Sequence, residues 1–284
     1  MSNTKLSRRL LAVLSVGVVL AGTAVAPAAA DPAPKSPPDQ AVGWYLALGD
    51  SLAAGYQPDR GEDRTGGYVG TVLDELRVDQ PKTKLVNLSC PGESTATMRD
   101  GTRCTGAYEE GSQLAQAVEF LHAHAGTTRL VTVTLGSNDV TPCLATQDIS
   151  GCAQQQLGVV HQNMDVILGE LHRTAPDVPI VVTNYYNPYL ALYFDPSRRA
   201  LVPLTSALQA QLNGTLAAVT VGRGEVADVA SAFHSYDASP TADGPPVNVA
   251  TVCAYTWMCI WTPPNVHATD AGYDAMAGAV IGTL

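Results

Sequence analysis

Positive charge is scarce in this chain. The 284 residues include 16 Lys and Arg against 26 Asp and Glu, which gives a formal net charge of −10 at pH 7. No segment beyond the first 30 residues forms a basic patch. Because an acidic surface repels polyanions, this composition argues against nucleic acids and anionic membranes as partners.

Long apolar runs are also missing after the N-terminus. Stable membrane insertion is therefore not expected, because a spanning helix needs ~20 apolar residues. The one pronounced run, at 10–20, is shorter and lies between three basic residues and three alanines that end at Ala30. That order is typical of a secretory signal peptide. We predict a signal peptide over 1–30 and a secreted, extracellular protein, with an uncleaved anchor as the alternative.

The next segment, 31–41, is rich in proline and is predicted to be a disordered leader. Residues 42–284 contain no further linker and are long enough for one well-packed domain. We therefore predict a single domain over this range, and we expect it to be a monomer.

Cysteine is present in a small, even number. The six residues are Cys90, Cys104, Cys143, Cys152, Cys253 and Cys259. None of their spacings is the C-x2-C of a zinc site, so no metal is expected. In an exported chain an even count predicts three disulfides, and the spacing favours the neighbouring pairs 90–104, 143–152 and 253–259 among the 15 possible pairings. A free catalytic cysteine is the alternative.

Strand-like and helix-like patterns alternate along the rest of the chain. Short apolar runs predict strands at 45–48, 85–88, 130–135, 180–183 and 225–229. Apolar residues three or four apart predict helices around 114–121, 157–171, 201–216 and 271–281. This alternation predicts an α/β fold with a parallel sheet covered on both faces.

Two segments, 187–200 and 234–264, break the alternation. Both are rich in Pro, Tyr, Asp and Ser. Long irregular segments in a compact domain are often functional loops. We expect these two to border the site.

Four polar stretches contain the candidate catalytic residues. They are Gly-Asp-Ser-Leu at 49–52, Cys-Pro-Gly-Glu-Ser at 90–94, Gly-Ser-Asn-Asp at 136–139 and Asn-Val-His at 265–267. The first three follow predicted strands, and open α/β sheets carry their reactive groups at the carboxyl ends of strands. A nucleophilic serine needs both a base and an oxyanion hole, and the later stretches offer both.

These stretches resemble the sequence blocks of the SGNH, or GDSL, hydrolase superfamily. The family is named for Ser, Gly, Asn and His, which match Ser51, Gly92, Asn138 and His267 in the same order. Gly-Asp-Ser alone is a weak motif. Its combination with Gly-x-Asn-Asp and a late His-x-x-x-x-Gly-Tyr is specific. The cysteine-containing stretches look like those of the secreted bacterial lipase/esterase branch, which carries three disulfides.

The resemblance implies a role for each residue. Ser51 is the nucleophile, and His267 is first the general base and then the acid. The N–H groups of Ser51 and Gly92 and the side-chain amide of Asn138 form the oxyanion hole. Glycine permits close approach of the backbone, and an Asn amide keeps its donors at working pH. A turn role for Gly92, a helix cap at Asn138 and His234 as the base are the alternatives.

One position departs from the family pattern. Many members have Asp three residues before the catalytic histidine, where this chain has Pro264. A proline side chain cannot orient an imidazole. Since some members use a main-chain carbonyl, we expect that of Pro264 or a neighbour to orient His267, with the Asn265 side chain as the alternative.

The resemblance implies a flavodoxin-like three-layer α/β/α sandwich. It also implies a serine hydrolase that cleaves carboxylic esters, with fatty acyl esters as the expected substrates, through an acyl-enzyme and without a cofactor. The absence of G-x-S-x-G argues against the α/β-hydrolase fold. The alternatives are an acetylesterase for carbohydrates or small esters, and a non-catalytic binding protein on the same fold.

Overall fold

A computed structural model describes residues 42–284 of the chain. The signal peptide predicted at 1–30 and the leader predicted at 31–41 lie outside the described residues. Among the helices that are described, none is long and apolar enough to cross a membrane.

Five parallel strands form one sheet. They are β1 Trp44–Gly49, β2 Lys84–Asn87, β3 Thr128–Thr134, β4 Ile180–Thr183 and β5 Glu225–Ala227. Their order across the sheet is β2-β1-β3-β4-β5, which is the flavodoxin-like order. The predicted fold class is confirmed. In this order the chain reverses direction across the sheet between β1 and β3, where such folds form a crevice for ligands.

The two central strands explain why the sequence reads as short apolar runs. Tyr45–Leu48 in β1 are fully buried, as are Leu130, Val131 and Val133 in β3. Strands covered on both faces need apolar residues at successive positions, because each side chain meets a packed layer. The register pairs Gly49 with Thr134, so that β1 and β3 end at the same level.

Nine α-helices accompany the sheet in the described part of the chain. They are α1 Gly67–Asp79, α2 Thr95–Asp100, α3 Gln113–His124, α4 Ser137–Val140, α5 Ile149–Thr174, α6 Val202–Thr220, α7 Val229–Ala232, α8 Val247–Tyr255 and α9 Asp270–Ile281. One group packs through α3, α5 and α6, and another through α1 and α9.

The longest helix, α5, shows how the sequence pattern produces this packing. Val160, Met164, Ile167 and Leu171 are fully buried and recur at three- and four-residue intervals. That spacing places them on one face of the helix, toward the core. At the start of the helix, the Asp148 side chain accepts a hydrogen bond from the Gly151 N–H at 2.9 Å, which caps the helix.

The two segments expected to be irregular have more structure than predicted. Residues 188–194 form 3₁₀ turns, and α8 lies within the second segment. Asn248, Val249 and Val252 are the buried residues of α8. This spacing is helical, but valine and asparagine are weak helix formers. The composition of this segment therefore did not predict a helix.

Three disulfides join neighbouring cysteines in the chain. The pairs are Cys90–Cys104, Cys143–Cys152 and Cys253–Cys259. These are the pairs that the spacing favours. No free cysteine remains in the described residues.

Candidate active site

The four candidate residues come together at the carboxyl ends of the central strands. Ser51, Gly92, Asn138 and His267 all line one cavity of about 300 Å³. They come from four separate segments of the chain. His234, the alternative base, is not among the described residues that line this cavity.

A tight turn after β1 presents Ser51. Gly49 has φ of +126°, and a Cβ placed on it would lie 2.0 Å from the Thr134 carbonyl oxygen. Only glycine fits so close to the neighbouring strand. The Asp50 N–H then donates to that same carbonyl at 3.0 Å. The turn is closed by the Leu52 N–H, which donates to the Asp50 carboxylate at 2.9 Å.

The imidazole of His267 connects the serine to an asparagine. His267 Nε2 lies 2.7 Å from Ser51 Oγ, and Nδ1 lies 2.6 Å from Asn265 Oδ1. An amide oxygen only accepts, so the proton of the neutral ring belongs on Nδ1. Nε2 is then free to accept the proton of the Ser51 hydroxyl, which is the arrangement required of a general base.

The partner of Nδ1 differs from the first expectation. The Pro264 carbonyl was expected there, but the structure places the Asn265 side chain at hydrogen-bond distance. The same Oδ1 accepts the backbone N–H of His267 at 3.1 Å. This turn, in which an Asn side chain bonds the N–H two residues on, brings its oxygen under the ring. Pro264 itself is exposed.

The surroundings of His267 favour the neutral ring. Burial lowers the pKa of His267 to about 4, because a charged imidazolium would lose its hydration. The Tyr56 ring lies against it, with centroids 4.6 Å apart. The backbone is held as well, since the Trp257 N–H donates to the His267 carbonyl at 3.0 Å and the Tyr186 hydroxyl donates to the Val266 carbonyl at 2.7 Å.

Gly92 and Asn138, the other two residues expected in the oxyanion hole, line the cavity that contains Ser51. Gly92 has φ of +78°, a conformation that favours glycine. Within residues 42–284, no protein group accepts a hydrogen bond from the N–H of Ser51 or Gly92. Asn138 Nδ2 donates one hydrogen to the Glu93 carbonyl at 2.9 Å. That bond fixes the amide plane and leaves the second hydrogen for a ligand.

Gln113, which no sequence motif marks, holds the turn before Ser51 in place. Its fully buried side chain accepts from the Gly49 N–H at 2.6 Å and donates to the Gly49 carbonyl at 3.1 Å. It also donates to the Glu93 carboxylate at 2.9 Å. Gln113 thus joins the turn before Ser51 to the loop that carries Gly92. In the sequence, only its position as a polar residue at the start of an amphipathic helix could have indicated this role.

Three buried carboxylates lie beneath the site. Burial raises the pKa of Asp50 to about 7 and raises the pKa values of Glu93 and Asp139. Asp50 accepts the Tyr185 hydroxyl at 2.8 Å, and Asp139 accepts the Thr95 N–H at 2.9 Å. These contacts join turns to one another. None of the three touches the imidazole, so their role is to position the turns.

An apolar pocket of about 50 Å³ adjoins the cavity. The two share the wall formed by Ser137, Thr141, Tyr185, Tyr186 and Pro188. Beyond that wall the pocket is lined by the apolar side chains of Val140, Leu144, Leu208 and Leu212 and also by Asn187, Tyr189, Thr205 and Gln209.

Comparison with known families agrees with this geometry. The model of the GDSL-like lipase/acylhydrolase family matches residues 47–275. The chain belongs to this family. A search of curated proteins gives no match.

Solved structures of family members share the fold. The lipase Lip_vut3 from a goat rumen metagenome is 17% identical with a TM-score of 0.57, over 85% of this chain and 97% of that one. Phospholipase A1 from Streptomyces albidoflavus NA297 is 17% identical with a TM-score of 0.56, over 86% and 100%. The extracellular lipase from Streptomyces rimosus is 17% identical with a TM-score of 0.57, over 85% and 100%.

As a GDSL hydrolase, the protein is a carboxylic ester hydrolase. The family also explains why a strand-end serine, a glycine with positive φ, an asparagine amide and a late histidine occur together around one cavity.

Proposed function

We propose that the protein is a secreted serine hydrolase that cleaves fatty acyl esters through an acyl-enzyme. Ser51 is the nucleophile, His267 is the base and Asn265 orients it. The observation that carries the proposal is the continuous contact from Ser51 Oγ through the imidazole to the Asn265 amide oxygen, with distances of 2.7 and 2.6 Å.

In the first step, Ser51 Oγ attacks the ester carbonyl carbon while His267 Nε2 takes the hydroxyl proton. The carbonyl oxygen becomes an oxyanion and receives hydrogen bonds from the N–H groups of Ser51 and Gly92 and from the Asn138 amide. Donors that are fixed before the reaction stabilise this charge without reorganisation. The ester C–O bond then breaks, and Nε2 gives its proton to the departing alcohol oxygen.

In the second step, water attacks the acyl carbon and gives a proton to His267 Nε2. The second oxyanion collapses, the bond to Ser51 Oγ breaks and the proton returns to Oγ. The carboxylic acid leaves. Because burial holds the His267 pKa near 4, the ring starts each step neutral at ordinary pH.

The apolar pocket supports an acyl group longer than acetyl. It shares lining residues with the cavity that contains Ser51, and Leu208 and Leu212 are among its other lining residues. Burying one methylene contributes about 0.8 kcal/mol, which is roughly fourfold in kcat/KM. We expect kcat/KM to rise with each added carbon beyond acetyl until the pocket is filled.

Export is supported by two independent features. The first 30 residues have the order of a signal peptide. All six cysteines form disulfides, and such bonds persist in oxidising compartments.

The decisive experiment combines active-site labelling with a substrate series. A fluorophosphonate should label the wild-type protein and leave Ser51→Ala unlabelled. Hydrolysis of p-nitrophenyl esters from C2 to C16 should then peak above C2. A maximum at C2 would indicate an acetylesterase, and absence of both labelling and hydrolysis would indicate a binding protein.

A further inference from the structure

An arginine lies at the mouth of the cavity, in a part of the chain that the proposed chemistry does not use. Arg103 is exposed and lines the same cavity as Ser51 and His267. Its Nε donates to the Pro91 carbonyl at 3.0 Å. The next residue, Cys104, is bonded to Cys90. The disulfide therefore restrains the backbone next to Arg103, and the hydrogen bond from Nε restrains its guanidinium.

The guanidinium packs directly over Gly92. A Cβ placed on Gly92 would lie 2.5 Å from Arg103 Nη2 and 2.8 Å from its Cζ. Any side chain at position 92 would displace the arginine. The positive charge thus lies beside one of the oxyanion donors, within reach of a group bound at Ser51.

Arg103 forms no ion pair at contact distance, although its charge acts on the buried Glu93 carboxyl at longer range. Six of the nine other arginines in residues 42–284 form ion pairs with Asp or Glu, whereas Arg99, Arg129 and Arg199, like Arg103, form none. Within the same range Arg103 has no carboxylate oxygen within the 4.0 Å that defines such a pair. The nearby Glu93 carboxylate is occupied by Thr97 and Gln113.

The rest of the cavity wall makes this charge distinctive. Apart from Arg103 and His267, Asp50 is the one charged type of residue among those that line the cavity in the described part of the chain. Its side chain is buried beneath the turn. His267 is neutral at ordinary pH because burial lowers its pKa to about 4. The chain as a whole has a net charge of −10. A cation without an ion pair at the cavity mouth therefore makes the electrostatic potential there positive, in contrast to the rest of the surface.

The two sides of the cavity suggest how a substrate is arranged. The apolar pocket lies toward α6, which follows β4, whereas Arg103 belongs to the loop after α2, which follows β2. Since β1, with Ser51 at its end, lies between β2 and β4 in the sheet, an acyl chain in the pocket leaves the alcohol part for the Arg103 side.

We propose that Arg103 binds an anionic oxygen group, a carboxylate or a phosphate, on the alcohol part of the ester substrate. This inference rests on the proposed ester hydrolysis at Ser51. A guanidinium presents a planar set of donors that matches both anions. Arg103 is thus a specificity-determining residue that favours anionic esters over neutral ones.

Two matched substrate pairs test the proposal and separate the two anions. The first pair is 4-butyryloxybenzoate and its methyl ester. The second is dihexanoylglycerol phosphate and dihexanoylglycerol, each below its micelle concentration. For each pair the ratio of kcat/KM, anionic over neutral, is measured in wild type, Arg103→Lys and Arg103→Gln. Intrinsic differences in reactivity cancel when ratios are compared between variants.

In Arg103→Gln the ratio should fall by about fivefold, as expected for loss of a partly exposed ion pair, in at least one pair. Arg103→Lys should lose less. The wild-type ratio should also decline with added salt, while Arg103→Gln should not respond, because salt screens exposed charges. The pair whose ratio falls identifies the anion.

The matched control is Arg173→Gln, which removes the same charge from the exposed end of α5, where Arg173 pairs with Glu170. It should leave both ratios unchanged. Equal loss on anionic and neutral esters in Arg103→Gln would mean that Arg103 serves the oxyanion instead, and unchanged ratios would mean that it binds no anion. Either result overturns the inference. Wild-type hydrolysis of the neutral esters, tested separately, decides the proposed function.

Discussion

The oxyanion side of the site (Gly92 and Asn138 with their turns) and the histidine segment (residues 256–269) are held in different ways. The first is built on turns that directly follow strands. It is fixed from below by buried side chains, above all Gln113, whose amide binds both the Gly49 backbone and Glu93. Gly92 lies in the loop between β2 and α2, and Asn138 lies in α4, which begins shortly after β3.

The histidine segment lies on a loop and depends on contacts between backbone groups. Thr256 and Ala268 form an isolated antiparallel bridge. Beside it, the Trp257 N–H donates to the His267 carbonyl at 3.0 Å, and the Cys253–Cys259 disulfide joins α8 to the start of the loop. The orienting contact of the imidazole comes from Asn265, within the segment itself.

The comparison teaches where each side can fail. On the oxyanion side the Asn138 amide is fixed by its hydrogen bond to the Glu93 carbonyl, so we expect its removal to act on the transition state. On the histidine side the orienter is neutral and local, so its loss should be milder than loss of the base. Four variants test these expectations, from the largest effect to the smallest.

Loss of the base itself should have the largest effect. His267→Ala should lower kcat by on the order of 10⁵–10⁶, close to the loss in Ser51→Ala, because the two residues act as a unit. The measurement is kcat on one p-nitrophenyl ester, with the double variant as the control. If kcat of the double variant were far lower than kcat of either single variant, the two residues would act independently.

The oxyanion side is tested by Asn138→Ala. We expect kcat to fall by roughly 10²–10³ with KM little changed, because the amide donates to charge that exists only in the transition state. The unfolding midpoint should be measured on the same preparation. A lowered midpoint with near-normal kcat would instead make Asn138 a structural residue, since its contact with the Glu93 carbonyl would then be its whole role.

The histidine side is tested by Asn265→Ala, which should lower kcat by about 10- to 100-fold. That range corresponds to one buried hydrogen bond to the ring. Asn265→Asp is the matched variant. Its carboxylate should restore orientation and raise the pKa of His267, because a negative neighbour favours imidazolium. The acid limb of kcat/KM, expected near pH 4 in wild type, should therefore move to higher pH.

If kcat of Asn265→Ala instead falls by less than about twofold, a main-chain group orients the ring. This would agree with the expectation for the Pro264 carbonyl. Unmoved pH limbs in Asn265→Asp would point the same way, because the substituted carboxylate would then lie away from Nδ1.

The smallest effect concerns the carboxylate beneath Ser51. Burial raises the pKa of Asp50 from 3.8 to about 7, so the folded protein holds this proton more tightly than the unfolded chain does. The stabilisation is therefore complete below pH 3.8 and is lost as the pH rises through 7. Asp50→Asn cannot ionise. The difference in Tm, variant minus wild type, should therefore be larger at pH 8 than at pH 4 by about 3 °C or more.

The matched control is Asp195→Asn, since Asp195 is a partly exposed carboxylate whose contacts with Ser197 and Arg198 lower its pKa. The difference in Tm for this variant should not rise between pH 4 and pH 8. A flat difference for Asp50→Asn would mean that the carboxylate is ionised when folded and is satisfied by Leu52 and Tyr185.

Much of the fold could be predicted because its signals are local. The central strands are continuous apolar runs, and α5 and α9 repeat apolar residues at helical spacing. Five helices were missed. Of these, α2, α4 and α7 have only six, four and four residues, which is too few to show a helical period. Helix α1 begins at Gly67 with no side-chain cap, and α8 is rich in valine, which favours strands.

The sequence places Ser51, Gly92 and Asn138 after predicted strands, and the structure brings all three to one cavity. Two features could not be predicted in this way. Gln113 acts through contacts more than 60 residues away in the chain, and Arg103 lies close to Gly92 only because the loop after α2 folds back. The choice between Pro264 and Asn265 depended on a turn geometry that sequence alone does not determine.

The histidine segment also contains its own optical probe. Two of the three tryptophans of the chain, Trp257 and Trp261, lie in it with ring centroids 5.4 Å apart. The Trp257 indole donates to Gln57 at 3.2 Å. The third, Trp44, packs against Phe120 in the part of β1 far from the site. Intrinsic emission thus follows the loop that carries the base, and a spectral change before loss of helical circular dichroism would measure its opening apart from global unfolding.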